Sequence, residues 1–401
     1  RAIKNFAAST KLGGVPISQV GDIGAIILKH GMWPYLRDGL KPMIQTLNGY
    51  VKSELSEVQR RNSADALLSL QHMESGYGTR YSDNLSVGDV PIATHLESVL
   101  EKVGHQSGNF FGTNFIDNAN QRVVSGIMQS KIMRHMYEFQ NGTLSKTDEM
   151  GLLQYGLDPK IWSERFINSF EEGSGWKGRD GAIQSKYWEW KDDGAIGRMA
   201  MTIRRGVADT IVQRGLFTSP FWMNNPILGM IFMFHGWGFS AFNKFTVPMM
   251  QRPDAYKLQG IIMMLGLGAM IDPLRKLANG KKADIDNDDT WFGKAFETVS
   301  NSGILGHTPD FLQTLNKFLG GELLPKTTEK FQGWNKWSVL GPAAGMLEDA
   351  ATIVQHSMSN DKKFTVGDAK KSIRLVPLTG ALGLRGLLNH WAESIGLPDR
   401  Q

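Results

Sequence analysis

From Gly215 to Asn243 the chain runs 29 residues without a Lys, Arg, Asp or Glu. A stretch of that length and apolarity has to be sheltered, either by folded protein or by lipid. Asn225-Pro226 can start a helix with Pro at its first position, running through Ile227-Leu228-Gly229-Met230-Ile231-Phe232-Met233-Phe234-His235-Gly236-Trp237 to about Val247. Pro248 and Pro253 then turn the chain. A second charge-free run, Leu258 to Ile271, includes Ile261-Ile262-Met263-Met264-Leu265. The pattern predicts an apolar helical hairpin over 226–247 and 258–278. A helix of about 20 residues reaches across a hydrocarbon layer of about 30 Å, so the first arm is long enough to span one, whereas the second has the length of a core or interfacial helix. Arg214 precedes the hairpin, Lys244, Arg252 and Lys257 lie at the end of its first arm and in the connection, and Arg275, Lys276, Lys281 and Lys282 lie at the end of the second arm and beyond it. Positive charge on both sides sets no membrane orientation. Burial in a large soluble core remains open, and so does a packed hairpin that enters a bilayer after a conformational change. Candidates for membrane insertion or oligomer contact are Ile227, Phe232, Phe234, Trp237, Phe239, Ile261, Ile262 and Leu265. His235 fits a satisfied core histidine better than an intramembrane polar group.

Elsewhere apolar residues recur at i, i+3, i+4 and i+7 with little strand-type alternation, which predicts an all-α, multi-helix fold, elongated or multi-lobed, around the central hairpin. His95 to Val103 places Leu96, Val99, Leu100 and Val103 on one face. Phe115 to Met136 does the same with Ala119, Val123, Ile127, Met128, Ile132 and Met136, and Asn141-Gly142 supplies a stop. Asp158-Pro159 reads as an N-cap with Pro behind it, opening a helix through Trp162, Phe166, Ile167 and Phe170. Thr308-Pro309 repeats the device before Phe311, Leu312, Leu315, Phe318 and Leu319, with Gly320-Gly321 as the close. Breaker clusters divide the chain at 1–104, 105–180, 181–280 and 281–401. No solenoid period is present.

Composition narrows the chemistry. At 401 residues and 41% hydrophobic the chain can fill several cores and is not disordered as a whole. With no Cys, disulfides, thiolate metal sites, iron–sulfur clusters and Cys nucleophiles are impossible. The net charge of +5 is spread along the chain, compatible with nearby DNA but not demanding it. The chain opens at Arg1 without the apolar core of a secretory signal and reads as a fragment or processed product.

Gly173-Ser174-Gly175-Trp176-Lys177-Gly178 matches a dinucleotide-binding string, but a helical pattern precedes it where a strand is required, so an inter-helix loop is the better reading. Asp284, Asp286 and Asp288 begin like a calcium loop. Asp289 and Ala295 then stand where Gly and Glu are needed, leaving an acidic turn that caps a helix from Trp291 to Val299. Glu74-Ser75-Gly76-Tyr77, with Gly151-Leu152-Leu153-Gln154 far downstream, is similar to the Glu-Ser signature of lytic transglycosylases, in which one carboxyl serves as acid and then base. An exposed loop glutamate is the plainer reading. The nine His residues show no metal spacing. No catalytic residue, metal or cofactor is expected in this segment. Arg204, Arg205, Lys281, Lys282, Lys370 and Lys371 are the nucleic-acid candidates, with Tyr187, Trp188 and Trp190 as stacking or core residues.

Lys11-Leu12-Gly13-Gly14-Val15-Pro16-Ile17-Ser18-Gln19-Val20-Gly21-Asp22 resembles a segment of the very large internal virion proteins of short-tailed bacteriophages. The order Leu157-Asp158-Pro159, Ala195-Ile196-Gly197-Arg198, the Pro- and Phe-rich hairpin, then Ile373-Arg374-Leu375-Val376-Pro377-Leu378 is similar to the C-terminal portion of that family, as scattered motifs over most of the chain. The resemblance implies a non-enzymatic structural subunit of the inner core above the portal, ejected ahead of the genome to form a conduit through the host envelope. It implies a homo-oligomer in contact with other core and portal proteins, with genomic DNA nearby and non-specifically held, and with the host membrane after ejection. The location implied is the virion interior, then the host cell envelope. A transglycosylase domain lies elsewhere in such proteins. Two other readings stand beside this one, a peptidoglycan-cleaving fragment using Glu74 and a non-viral membrane-associated helical protein.

Overall fold

The structure, a computed structural model, describes residues 21–44, 113–173, 175–178, 181–211, 246–247, 255–278, 291–302, 304, 342–358, 364–376, 384–395 and 398. Nearly all regular structure among them is helical, in agreement with the all-α expectation. The helices are α1 (Gly21–His30), α2 (Thr113–Gln140), α3 (Lys146–Gln154), α4 (Pro159–Glu172), α5 (Asp193–Thr210), α6 (Ala255–Ala278), α7 (Trp291–Ser302), α8 (Pro342–Met358), α9 (Val366–Leu375) and α10 (Leu384–Ser394). A single turn, Met32–Pro34, and a π-helical segment, Tyr35–Leu40, follow α1. The only strands among the described residues are β1 (Trp176–Lys177) and β2 (Ile183–Gln184), an antiparallel pair.

The helix ends follow local chemistry. The Asp158 side chain accepts a hydrogen bond from the Lys160 amide and Pro159 takes the first helical position, so the orphan amides of α4 are partly satisfied at their source. Ser145 caps α3 through the Asp148 amide, and Asp192 caps α5 through that of Ala195. Helix α2 ends at Gln140, and Gly142 then adopts a positive φ of 71°.

Helix α2 is the axis of the main body. Val123, Ile127, Met128, Ile132 and Met136, all predicted for its apolar face, are buried, and α4 and α5 pack on them with Phe166, Ile167, Met199, Ile203 and Val207. Phe166, completely buried, sits against Trp162 and Trp190. Polar residues of α2 are buried as well, and Gln129 and Ser130 find partners. Ser130 Oγ accepts from the Ile183 amide at 3.3 Å, and Ser185 Oγ donates to Gln129 Oε1 at 3.0 Å. The β-ribbon thus covers the polar side of α2, which lets one helix be enclosed on several sides.

Helix α1 joins this body to α6. Its sequence, GDIGAIILKH, is apolar around most of its girth: Ile26 and Ile27 enter the main core, while Ala25 and Leu28 form a second cluster with Met264 and Ile304. The approach to α6 is close enough that a Cβ on Gly260 would overlap the Leu28 backbone, and one on Gly24 would lie 2.9 Å from Met264 Cα. Helix α7 packs on α6 as well, with Gly268 against Thr298 and Ser302, and Thr246 Oγ1 donates to the Ile304 carbonyl at 2.5 Å. Helix α9 packs on both α8 and α10, and a capping box at Thr365 and Asp368 starts α9.

The hairpin itself is not established. Its first arm, apart from Thr246 and Val247, lies outside the described residues. The run predicted from Leu258 is observed as α6, three residues longer at its start and carrying Pro273 within it. Among the described residues no helix is long and apolar enough to cross a membrane. His95 to Val103 and Thr308 to Gly321 also lie outside the described residues. The helix expected at Trp291 is present as α7.

Candidate functional site

Two features of the described residues exceed what packing alone asks for: a partly buried polar junction at the end of α1 and an exposed apolar face on α6.

At the junction, the last two residues of α1 meet the last two of α5. Lys29 Nζ ion-pairs with the Asp209 carboxylate and donates to the Asp209 carbonyl at 3.0 Å. Tyr155 OH donates to the same carboxylate at 3.0 Å. Burial lowers the Lys29 pKa against the pull of Asp209, and burial followed by the Asp209 charge raises that of Tyr155. His30 Nε2 lies 2.9 Å from Thr210 Oγ1. Thr210 Oγ1 donates its own proton to the Gly206 carbonyl at 2.8 Å, so it can only accept from His30. The His30 tautomer therefore carries its proton on Nε2 and leaves Nδ1 a bare lone pair, which is buried without a hydrogen-bond partner among the described residues. Burial, then Lys131 and Lys29, push the His30 pKa well below the ordinary histidine value.

The neighbouring face of α2 extends the same pattern. Burial lowers the Lys131 pKa, partly opposed by Asp148. Burial first, then Lys131, take His135 down to about 4 even though Asp148 pulls the other way. His135 Nε2 is 4.0 Å from Asp148 Oδ1, and its Nδ1 has no hydrogen-bond partner among the described residues. Asp38, a buried residue of the π-helical segment, receives Arg37 Nε at 2.7 Å and Arg134 Nη2 at 3.2 Å. The junction contains no arranged nucleophile and base. It holds two imidazoles whose protonation is disfavoured by burial and by neighbouring lysines.

On α6, Leu258, Gln259, Ile262, Gly266, Ala269, Met270, Pro273, Leu274 and Leu277 are exposed, while Gly260, Met264, Gly268 and Ile271 face α1 and α7. Ile262 is 63% exposed.

The predicted contact residues thus divide. Ile262 is on the open face, and Ile261 and Leu265 are half-buried against the Ala25, Leu28, Met264 and Ile304 cluster. Ile227, Phe232, Phe234, Trp237 and Phe239 lie outside the described residues, with His235. The basic candidates are not brought together as one constellation. Arg205 Nη1, on α5, donates to the Tyr155 carbonyl at 3.0 Å, and Arg204 is half-buried on the same helix. Lys370 Nζ, on α9, donates to Glu393 Oε1 at 2.6 Å, with Lys371 half-buried beside it. Lys281 and Lys282 lie outside the described residues. Tyr187 and Trp190 are buried in the main core, and Trp190 Nε1 donates to the Ser185 carbonyl at 3.0 Å.

Glu74 and the Asp284–Asp288 turn lie outside the described residues, and Gly151 to Gln154 form the end of α3. The Gly173 to Gly178 string itself contains β1, with α4 before it, so the strand–loop–helix cradle for a pyrophosphate is not built there. Among the described residues no group of three His, Cys, Asp or Glu is placed to hold a metal ion. The Lys29–His30 junction escaped the sequence reading. Its only signal is a Lys-His pair closing an almost wholly apolar ten-residue stretch.

No protein-family model matches the chain, and neither a curated protein nor a solved structure shows significant similarity to it.

Proposed function

We propose that this chain is a non-enzymatic structural protein of a bacteriophage interior, part of the inner core above the portal, which is ejected to help form a conduit for the genome across the host envelope. The observation that carries the reading is the pairing of a charge-free 29-residue segment with a helix, α6, that keeps a row of large apolar side chains in water. Such surface is costly to leave exposed unless something covers it in another state. An ejected subunit has such a state, since it passes from a protein assembly to a membrane-facing one. The 19 Met residues, Met263, Met264 and Met270 among them, support it by supplying unbranched side chains that repack readily.

Two of the segments that carry the family resemblance are neighbours in space. Arg198 Nη1 donates to the Gly156 carbonyl at 3.1 Å, and its guanidinium lies 5.1 Å from the Trp162 ring centroid. The Leu157-Asp158-Pro159 cap and the Ala195–Arg198 turn therefore form one packing unit. In this role the apolar segment 226–247 and α6 exchange shelter in protein for shelter in lipid or in a channel wall, and DNA passes without a sequence-reading site.

Mass spectrometry of purified particles of the phage encoding the chain tests the proposal. The chain is expected in the particle and depleted from it after ejection is triggered on host cells. Its absence from intact particles overturns the reading.

A further inference from the structure

We propose that His30 is an acid-operated latch: a proton added to its Nδ1 loosens α1 from α5 and α2, and α6 leaves with α1 while the body around α2 stays folded. The latch needs no membrane and no partner chain.

The contact accommodates only the neutral ring. Nε2 donates to Thr210 Oγ1 at 2.9 Å, and Thr210 gives its own proton to the Gly206 carbonyl at 2.8 Å, so the second proton of an imidazolium has to sit on Nδ1. Nδ1 is buried and has no acceptor among the described residues. A charged ring held there is an ion out of water without a counter-ion. Its surroundings supply none. Lys29, beside it on α1, and Lys131, from α2, are both cationic groups. Asp209, from α5, is engaged by Lys29 Nζ and by Tyr155 OH. Asp148, at the start of α3, acts on Lys131 and His135, and Arg134 adds a further positive charge on α2. Past the turn that follows α1, Asp38 is taken by Arg37 and Arg134. Helix α6 brings Lys257, one turn before the Gly260 that meets Leu28. Burial and the two lysines accordingly hold the His30 pKa well below the ordinary histidine value.

Gly31 supplies the hinge. It follows His30 with a φ of 88°, a conformation that favours glycine, and separates α1 from the Met32–Pro34 turn. While the ring is neutral, Ile26 and Ile27 hold α1 down by their burial in the main core. Close backbone contact makes α6 follow α1, with Gly24 against Met264 and Gly260 against Leu28. Across the hinge, the Met32 amide donates to Gln259 Oε1 at 3.5 Å in an exposed position, a weak restraint. Once α1 lifts, the ring meets water and takes its proton freely, so falling pH draws the chain toward the open form.

Hydrogen exchange of the full chain, read by mass spectrometry and corrected for the intrinsic pH dependence of exchange, tests the latch. Protection of the α1 and α6 amides should fall about twentyfold from pH 7 to pH 5, the effect of one ordinary histidine charging only in the open form. In acid α1 should exchange faster than α2. His30→Gln keeps an amide N–H for Thr210 and has no proton to gain, so the drop in α1 should vanish in it. His135→Asn should leave that drop in place, since His135 stays in the body. Nitrogen-isotope labelling of histidine gives a readout that needs no variant: midway through the titration, the closed chain should show His30 with its proton on Nε2 and a bare Nδ1. A charged His30 ring there, with α1 still protected, overturns the proposal. So does α1 protection that stays level into acid, a loss shared equally by α1 and α2, or a drop that persists in His30→Gln.

Discussion

Helices α2 and α6 invert the usual expectation that the more apolar segment lies deeper. Helix α2 carries Asn120, Gln121, Ser125, Gln129, Ser130, Lys131 and His135, and it is the helix that α4, α5, the β-ribbon and the π-helical segment enclose. Helix α6, charge-free from Leu258 to Ile271, lies at the margin of the described body with one side open. The difference teaches that centrality is decided by satisfied polar groups and fitted shapes. Each buried polar atom of α2 that finds a partner removes a penalty, whereas apolarity alone says only that a segment prefers shelter, not which shelter.

The comparison breaks most directly at Phe166. It is completely buried in the body that α2 organises, so Phe166→Ala should lower the unfolding free energy by about 3–5 kcal/mol in urea titrations. A loss of about 1 kcal/mol or less would mean that this body is not the stable part of the molecule.

Acid acts on the same body through its histidines. His30 and His135 bind a proton less readily folded than unfolded, so the unfolded chain takes up more protons as pH falls and stability drops. The window opens near pH 6.5, the ordinary histidine value, and for His135 closes at about 4. Stability measured across it should fall by up to about 3 kcal/mol from His135 alone. His135→Asn should flatten the slope whatever it does to the absolute stability. A slope unchanged in that variant would place the acid sensitivity elsewhere.

The smallest effect tests the margin. Gly260→Ala puts a Cβ into the Leu28 backbone and should cost about 1–3 kcal/mol, felt locally. Hydrogen exchange should quicken in α1 and α6 while the amides of α2 keep their protection. If α2 loses protection to the same degree, the two regions unfold as one and the distinction between body and margin fails.

Much of the helical content was legible before any coordinates. The Asp158-Pro159 cap, the Asn141-Gly142 stop and five of the buried residues of α2, namely Val123, Ile127, Met128, Ile132 and Met136, follow from periodicity and capping, and these depend on neighbours three or four positions away. The junction was not legible. His30 and Thr210 stand 180 positions apart, and neither residue type signals a tautomer-fixing contact until both are placed. The residues expected to make contacts on α6 divide for a similar reason. Ile261, Ile262 and Leu265 are alike in hydropathy, and only the position of α1 decides which of them is covered.

The amino-acid sequence by itself determined that the chain is helical, where several helices begin and end, and that it carries no thiol chemistry. It also determined that a charge-free run needs shelter. Tertiary structure alone decided that α1 is the keystone, that two histidines are held neutral beside lysines, and that α6 keeps one face in water. The physical reason is range: helix signals are local, whereas burial, tautomer and exposure depend on which distant surface arrives, and that choice rests on shape at points such as Gly24 and Gly260.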